Sequence, residues 1–201
     1  DSTRISKDMQ EQARDYIKRT YGDDYCPAKP NVYGKKDSAQ DAHEAIRPTS
    51  LELTPKMVEP FVSRDELKLY TLIWNRFMAS QMASQQNEST TIELDIDDAY
   101  TFKATGSRIL FPGFSAVYED SKKEDTPQLP VLKKSDVVET VLIDPEQHFT
   151  QPPARYSEAS LIKTLEELGI GRPSTYAPIL DTIVSRNYVE MNNKQFIPTE
   201  L

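Results

Sequence analysis

The fold of this chain is decided at Ser89-Thr-Thr-Ile-Glu-Leu-Asp-Ile96, where the spacing of the apolar residues changes. Ile92, Leu94 and Ile96 alternate with polar residues, the pattern of a half-buried β-strand. Apolar residues recur at helical spacing before this stretch, and they do so again beyond Gln151-Pro-Pro153. The sequence therefore predicts a multi-domain α and β protein. Its three predicted parts are a helical domain over residues 1–83, an antiparallel β-rich segment over residues 84–153, and a helical, winged-helix-like segment with a terminal hairpin over residues 154–201.

Helix-start signals define the first part. Ser6 is a predicted N-cap, and the helix that it opens ends at Gly22. Ser63-Arg-Asp-Glu66 is a capping box, which opens a longer helix that we expect to reach Ala83. The apolar stripe of the first helix consists of Met9, Ala13, Tyr16 and Ile17.

The middle part is predicted as a small antiparallel sheet or partial barrel. Its further strands are Tyr100–Thr105, Arg108–Tyr118 and Val137–Asp144, with a break at Gly106 between the first two. Of the formal charge of -8, most lies here, because residues 90–150 carry 6 Lys or Arg against 12 Asp or Glu. We therefore expect any anion site in the first or last part.

The last part has the outline of a winged helix. Ser157 caps a helix whose Leu161, Leu165 and Leu168 should face inward, and Pro173 begins a second helix. A hairpin is predicted around Asn192-Asn-Lys194. This outline independently suggests DNA binding.

Two small groups of side chains are candidate anion sites. His43 and Arg47, four positions apart in a predicted helical turn over Asp41–Arg47, suit a phosphate better than a metal, although such a pair is more often structural. Arg172, Ser174 and Thr175 lie at a helix N-terminus, where free N–H groups favour a phosphate; the alternative is a plain helix cap. Tyr176 can stack on a base or pack in the core. Arg186 ends the same helix, either beside the DNA strand or against the helix dipole.

Long motifs carry a family resemblance. Glu166-Glu-Leu-Gly-Ile-Gly-Arg-Pro-Ser-Thr-Tyr-Ala177, His43-Glu-Ala-Ile-Arg-Pro48 and Phe111-Pro-Gly-Phe114 occur in the order and spacing of the bacterial, type IA DNA topoisomerases, which the chain closely resembles over nearly all of its length. In that family a Tyr-Met-Arg-Thr-Asp-Ser-Thr run holds the nucleophilic tyrosine, and this chain opens with Asp1-Ser2-Thr3. The resemblance implies an internal fragment that begins just after the tyrosine.

The resemblance also implies what the parent does. A type IA topoisomerase is a torus that relaxes negatively supercoiled DNA by single-strand cleavage through a phosphotyrosine link, strand passage and religation, without ATP. It implies that His43 and Arg47 support the scissile phosphate, that Asp1 supports the tyrosine loop, and that Arg172, Ser174, Thr175, Tyr176 and Arg186 contact single-stranded DNA. Mg2+ would be held by a Toprim domain outside this chain, so we expect no cofactor here and no activity of the chain alone. The implied partners are single-stranded DNA and the remaining domains.

The sequence leaves two alternative functions open and also indicates where in the cell the protein is located. A winged-helix regulator would read duplex DNA in the major groove, which requires several hydrogen-bond donors on the recognition helix. The second helix of this segment carries only one arginine, Arg186, together with Asp181, so this alternative is less favoured. A protein-interaction module would present the acidic β segment to a basic partner. No apolar run is long enough to cross a membrane and the first residues lack a signal peptide, so a cytoplasmic protein is expected. The resemblance implies that it is bacterial and nucleoid-associated.

Overall fold

The computed structural model describes residues 2–34, 43–97, 99–118 and 129–201. The chain forms two compact units, Asp1–Val137 and Val138–Leu201. The division into three parts stays a prediction, because these units are defined by compactness rather than by type of secondary structure. No helix among the described residues is both long and apolar enough to span a membrane.

The two long helices of the first unit begin where the sequence predicts, and the second ends at Gln81, two residues before the predicted Ala83. The helices of this unit are α1 (Lys7–Tyr21), the short α2 (Pro55–Val58) and α3 (Arg64–Gln81). The Ser6 hydroxyl accepts a hydrogen bond from the N–H of Met9, and α1 ends at Gly22 with φ of 106°. Both bonds of the capping box are formed, because Ser63 N–H donates to the Glu66 carboxylate at 2.8 Å and Glu66 N–H donates to Ser63 Oγ at 3.4 Å. The predicted caps are confirmed.

One hydrophobic core lies between α1 and α3. The indole of Trp74 meets the ring of Tyr16 edge-on, with centroids 5.9 Å apart, and its N–H donates to the carbonyl of Leu51 at 3.3 Å. The predicted stripe of α1 is buried in full. The core comprises Met9, Ala13, Tyr16, Ile17, Leu51, Trp74, Phe77, Met78 and Met82.

Among the described residues of the first unit, β1 (Gln86–Ile96) and β2 (Tyr100–Phe111) form one antiparallel ribbon. The predicted break at Gly106 is wrong, because Gly106 pairs with Thr90 in the middle of a continuous ladder. Arg108–Tyr118 is wrong as a separate strand for the same reason, and after Phe111 the chain enters a short 3-10 turn, Gly113–Ala116.

Val137–Asp144 is not a strand, contrary to the prediction from its β-rich composition. The side chains of Val137 and Val141 are almost fully exposed, at 99% and 95%. A strand needs a neighbouring backbone to accept its hydrogen bonds, and none of the described residues pairs with this segment. β-propensity alone does not supply that partner.

The second unit contains two helices and a hairpin, as predicted. α4 spans Glu158–Glu167 and α5 spans Pro173–Ser185, followed by β3 (Val189–Asn192) and β4 (Gln195–Pro198). Asn193 and Lys194 both have positive φ, 48° and 63°, as a two-residue hairpin turn requires. Leu168 does not face inward: it is 68% exposed, because it is the C-cap, where helical periodicity no longer sets side-chain direction.

Candidate nucleic-acid interface

The segment that carries His43 and Arg47 is not helical, so the predicted turn of helix is wrong over its described residues, 43–47. Asp41 and Ala42 lie outside the described residues. The segment instead runs beside the start of the chain, with Ala45 N–H donating to the carbonyl of Arg4 at 2.7 Å and the Arg4 side chain donating to the carbonyl of His43 at 3.3 Å. Its backbone groups are satisfied by a partner about 40 positions away, which helical spacing cannot reveal.

Glu44 is the residue that joins these two segments, although it is not among the candidate residues that the sequence indicates. Its carboxylate accepts the backbone N–H of Ser6 at 2.7 Å. It also accepts two N–H groups of Arg47, from Nε at 2.9 Å and from Nη2 at 3.1 Å. The sequence did offer a signal for this ion pair, because Glu44 and Arg47 carry opposite charges three residues apart. That spacing, however, is usually taken to indicate a pair on a helix.

The environment of Glu44 makes stability depend on pH. The guanidinium of Arg47, and next the N–H of Ser6, lower the pKa of Glu44 from 4.5 to about 2. Because the folded pKa is depressed, this stabilisation is fully present above pH 4.5 and is lost as the pH falls towards 2. We expect the difference in unfolding free energy between the wild-type chain and a Glu44→Gln variant to be about 2 kcal/mol at pH 7 and to shrink steadily below pH 4.5. Urea unfolding at a series of pH values measures it, and a difference independent of pH would contradict it.

The two predicted phosphate ligands of this segment are placed differently. His43 is exposed, whereas Arg47 is half-buried. The Nε and Nη2 edge of Arg47, which would hold a phosphate in bidentate fashion, is occupied by Glu44, and Nη1 donates to the carbonyl of Pro48 at 3.1 Å. An anion could use only the remaining N–H groups. The phosphate roles of both residues stay predictions, and Asp1 lies outside the described residues.

The start of α5 combines a helix cap with an exposed cation. Arg172 is the N-cap; its N–H donates to Thr175 Oγ1 at 2.8 Å, and Thr175 N–H donates to its carbonyl at 2.8 Å. The Thr175 hydroxyl is therefore engaged in capping, while Ser174 is exposed. The guanidinium of Arg172 is held by one bond, from Nη1 to the carbonyl of Gly171 at 2.8 Å, and no carboxylate of the described residues pairs with it.

Tyr176 and Arg186 lie on the same helix. Tyr176 is half-buried, and a Cβ on Gly171 would lie 3.3 Å from its ring, so the ring packs against this glycine as well as reaching solvent. Arg186 is the exposed C-cap of α5. About 20 Å of helix separates it from Arg172, so a single phosphate cannot contact both. His43 and Arg47 belong to the first unit and the other candidates to the second.

Within the described ranges, no group of three or more His, Cys, Asp or Glu side chains could hold a metal ion.

Comparisons with known proteins point to one family. A family model described as DNA topoisomerase matches residues 1–201. The chain is also similar to full-length topoisomerase I from Thermotoga maritima, with a TM-score of 0.80 and 36% sequence identity. The match covers 99% of this chain and 32% of that one, so the chain spans about a third of the length of this relative.

Proposed function

This chain belongs to the DNA topoisomerase family, and from that premise we propose that it is part of a type IA enzyme that relaxes negatively supercoiled DNA by single-strand cleavage and religation. In the proposal, the residues of this chain form surfaces that hold single-stranded DNA within the torus of the parent enzyme. The nucleophilic tyrosine and the Toprim domain belong to other parts of the parent enzyme, in the bacterial cytoplasm. In the proposal, Mg2+ would supply charge neutralisation in that domain.

The observation that carries the proposal is the exposed start of α5. Arg172 presents a guanidinium that no described carboxylate neutralises, and its one anchoring bond to Gly171 leaves further N–H donors available. The exposed hydroxyl of Ser174 and the positive end of the helix dipole lie beside it. Together they favour a backbone phosphate, which single strands present without any need for base reading.

The segment around His43 supports the chemistry that such a strand would undergo. Glu44 fixes this segment against residues 4–6, so the exposed His43 is held in a defined place. In phosphoryl transfer the charge on the scissile phosphate must be stabilised, and a protonated imidazole is a suitable donor. We assign His43 to that role, Arg47 to positioning through Glu44 with a partial contact to the phosphate, and Asp1 to support of the tyrosine loop.

A single strand is a better ligand for α5 than a duplex. Its two exposed arginines, Arg172 and Arg186, lie at opposite ends of the helix, and Asp181 lies between them. A recognition helix in the major groove would need several donors along one face. The winged-helix regulator is therefore the weaker alternative, also because the family match spans the whole chain. Nothing in the structure favours the protein-interaction module.

Removing the charge of Arg172 is expected to weaken binding of this chain to a fluorescent 12-nucleotide oligothymidylate by about tenfold in Arg172→Gln, because one phosphate contact is lost. The slope of log affinity against log salt should fall by about 0.7. Fluorescence anisotropy at several salt concentrations measures both. Lys163→Gln is the matched control: it removes an exposed cation from α4, and its affinity should stay within about twofold of wild type. Equal losses in the two variants, or a preference for duplex, would refute the proposal.

A further inference from the structure

The first unit contains a cavity of about 510 Å³ that the proposed function does not use. Its interior is apolar, formed by Ile5, Phe77 and Phe114, and its rim carries Tyr33, Arg76 and Tyr118 among other residues. The volume lies within the range of about 300–1,000 Å³ that is typical of small-molecule sites. Two aromatic rings and one guanidinium at the mouth of an apolar cavity favour a ligand that has both a flat apolar part and a negative charge.

Hydrogen bonds between distant segments join parts of the chain that line or adjoin the cavity. Tyr33 donates its hydroxyl to the carbonyl of Ser80 at 2.5 Å, and the Thr3 hydroxyl donates to the carbonyl of Gly34 at 3.2 Å. Both bonds join residues that are more than 30 positions apart and that line or adjoin the cavity. Burial raises the pKa of the Tyr33 hydroxyl, so it remains a donor at neutral pH. A ligand would meet a preformed site, which lowers the entropic cost of binding.

Arg76 gives the rim its charge. Its guanidinium lies 5.1 Å from the centroid of the Tyr118 ring, a cation–π contact that positions the group. No carboxylate of the described residues forms an ion pair with it, and none of their acceptors takes its N–H groups. Arg76 is exposed on α3. An anion that reaches the rim would therefore find several unused donors in a fixed place.

We propose that this cavity binds one nucleotide of the single strand, with the base against the aromatic rings and a phosphate on Arg76. The inference rests on the proposed function and adds a binding site to it. A base has the flat apolar face that the rings of Tyr33 and Tyr118 can stack on, while the phosphate requires the cation beside them. Ala45 and Ile46 also line the cavity, so the site adjoins the segment that carries His43.

The test uses this chain and two soluble probes, deoxyadenosine 5′-monophosphate and 2-deoxyribose 5-phosphate. Both are titrated into 15N-labelled protein while the arginine Nε–H signals are followed by NMR. The nucleotide should shift the Arg76 signal in a saturable way, and the sugar phosphate should bind at least about fivefold more weakly because it lacks the base. Arg76→Gln should weaken nucleotide binding by about tenfold, and Tyr118→Leu by about fivefold.

Arg64→Gln is the matched control, because Arg64 lies on the same helix about 18 Å from Arg76 and outside the cavity. It should bind the nucleotide as the wild-type chain does. Circular dichroism establishes that each variant is folded, and Arg76→Lys provides a second variant with little structural risk, expected to retain part of the affinity. Oligothymidylate binding that depends on Arg172 but not on Arg76 or Tyr118 would overturn the cavity proposal and leave the proposed function standing. Absence of any oligonucleotide binding would overturn both.

Discussion

Gly113→Ala is expected to destabilise the first unit by about 3–5 kcal/mol, a large effect for one methyl group. A Cβ on Gly113 would lie 2.5 Å from the carbonyl oxygens of both Ala83 and Ser84, closer than real Cβ atoms come. The residue also has φ of 51°, which side chains other than glycine rarely adopt. Relief requires backbone movement, because both contacted atoms are backbone atoms.

The hydrogen bonds around Gly113 explain why a small local backbone shift cannot relieve the overlap in Gly113→Ala. Phe114 N–H donates to the carbonyl of Ala83 at 2.9 Å, and Ala83 N–H donates to the carbonyl of Tyr25 at 2.8 Å. The end of β2 is thus tied to the end of α3 directly beside Gly113. Moving the chain to admit a methyl group would break these bonds.

Chemical unfolding of the first unit, followed by the fluorescence of the buried Trp74, measures the effect. Gly22→Ala is the control in the same unit: Gly22 also has positive φ, 106°, but a Cβ there meets nothing within 4 Å. It should cost only the backbone strain, about 1–3 kcal/mol. A Gly113→Ala variant no less stable than Gly22→Ala would show that the overlap is relieved without cost.

Glu44→Gln is expected to lower the unfolding free energy of the first unit at pH 7 by about 2 kcal/mol. The variant leaves the half-buried guanidinium of Arg47 without its anionic partner and weakens the acceptor of the Ser6 N–H. The segment with His43 should then detach more often from residues 4–6. Faster cleavage within residues 43–50 by a protease of low specificity should accompany the loss of stability.

Glu52→Gln provides the comparison, because Glu52 also pairs with an arginine. Its partner Arg19 and Glu52 itself are about two-thirds exposed, at 65% and 69%, against 23% and 29% for Arg47 and Glu44. Water screens an exposed pair, so we expect a much smaller loss of unfolding free energy than in Glu44→Gln and no change in proteolysis. Similar losses in both variants would mean that Glu44 has no special role in holding the segment.

Local sequence signals predicted the helices well. The caps Ser6, Ser63 and Ser157 and the hairpin at Asn193 and Lys194 depend on residues within a few positions of each other, and all are formed. The failures have another origin. Gly106 was predicted to interrupt a strand from its own propensity, yet cross-strand pairing with Thr90 carries the ladder through it. Pairing across the ribbon outweighs the preference of one residue.

The candidate site divides in the same way. The motif around Arg172 could be placed at a helix start from Pro173 and Thr175 alone, because an N-cap is built from neighbours in sequence. The surroundings of Arg47 could not be predicted from neighbouring residues, because its partner Glu44 is itself bound by Ser6, which lies 38 positions earlier in the chain. The same limit applies to the cavity, whose lining comes from five separated stretches of chain.

By itself, the sequence determined where the four long helices start, the hairpin, the family and the residues that carry exposed charge, since these depend on short motifs and on the period of the apolar residues. Only the tertiary structure decided that residues 43–47 are not helical, that Glu44 occupies the binding edge of Arg47, and that Arg76, at the rim of an aromatic cavity, pairs with no carboxylate of the described residues. The physical reason is that hydrogen bonds and packing between distant segments satisfy the same backbone and charged groups that local rules would otherwise assign to neighbours.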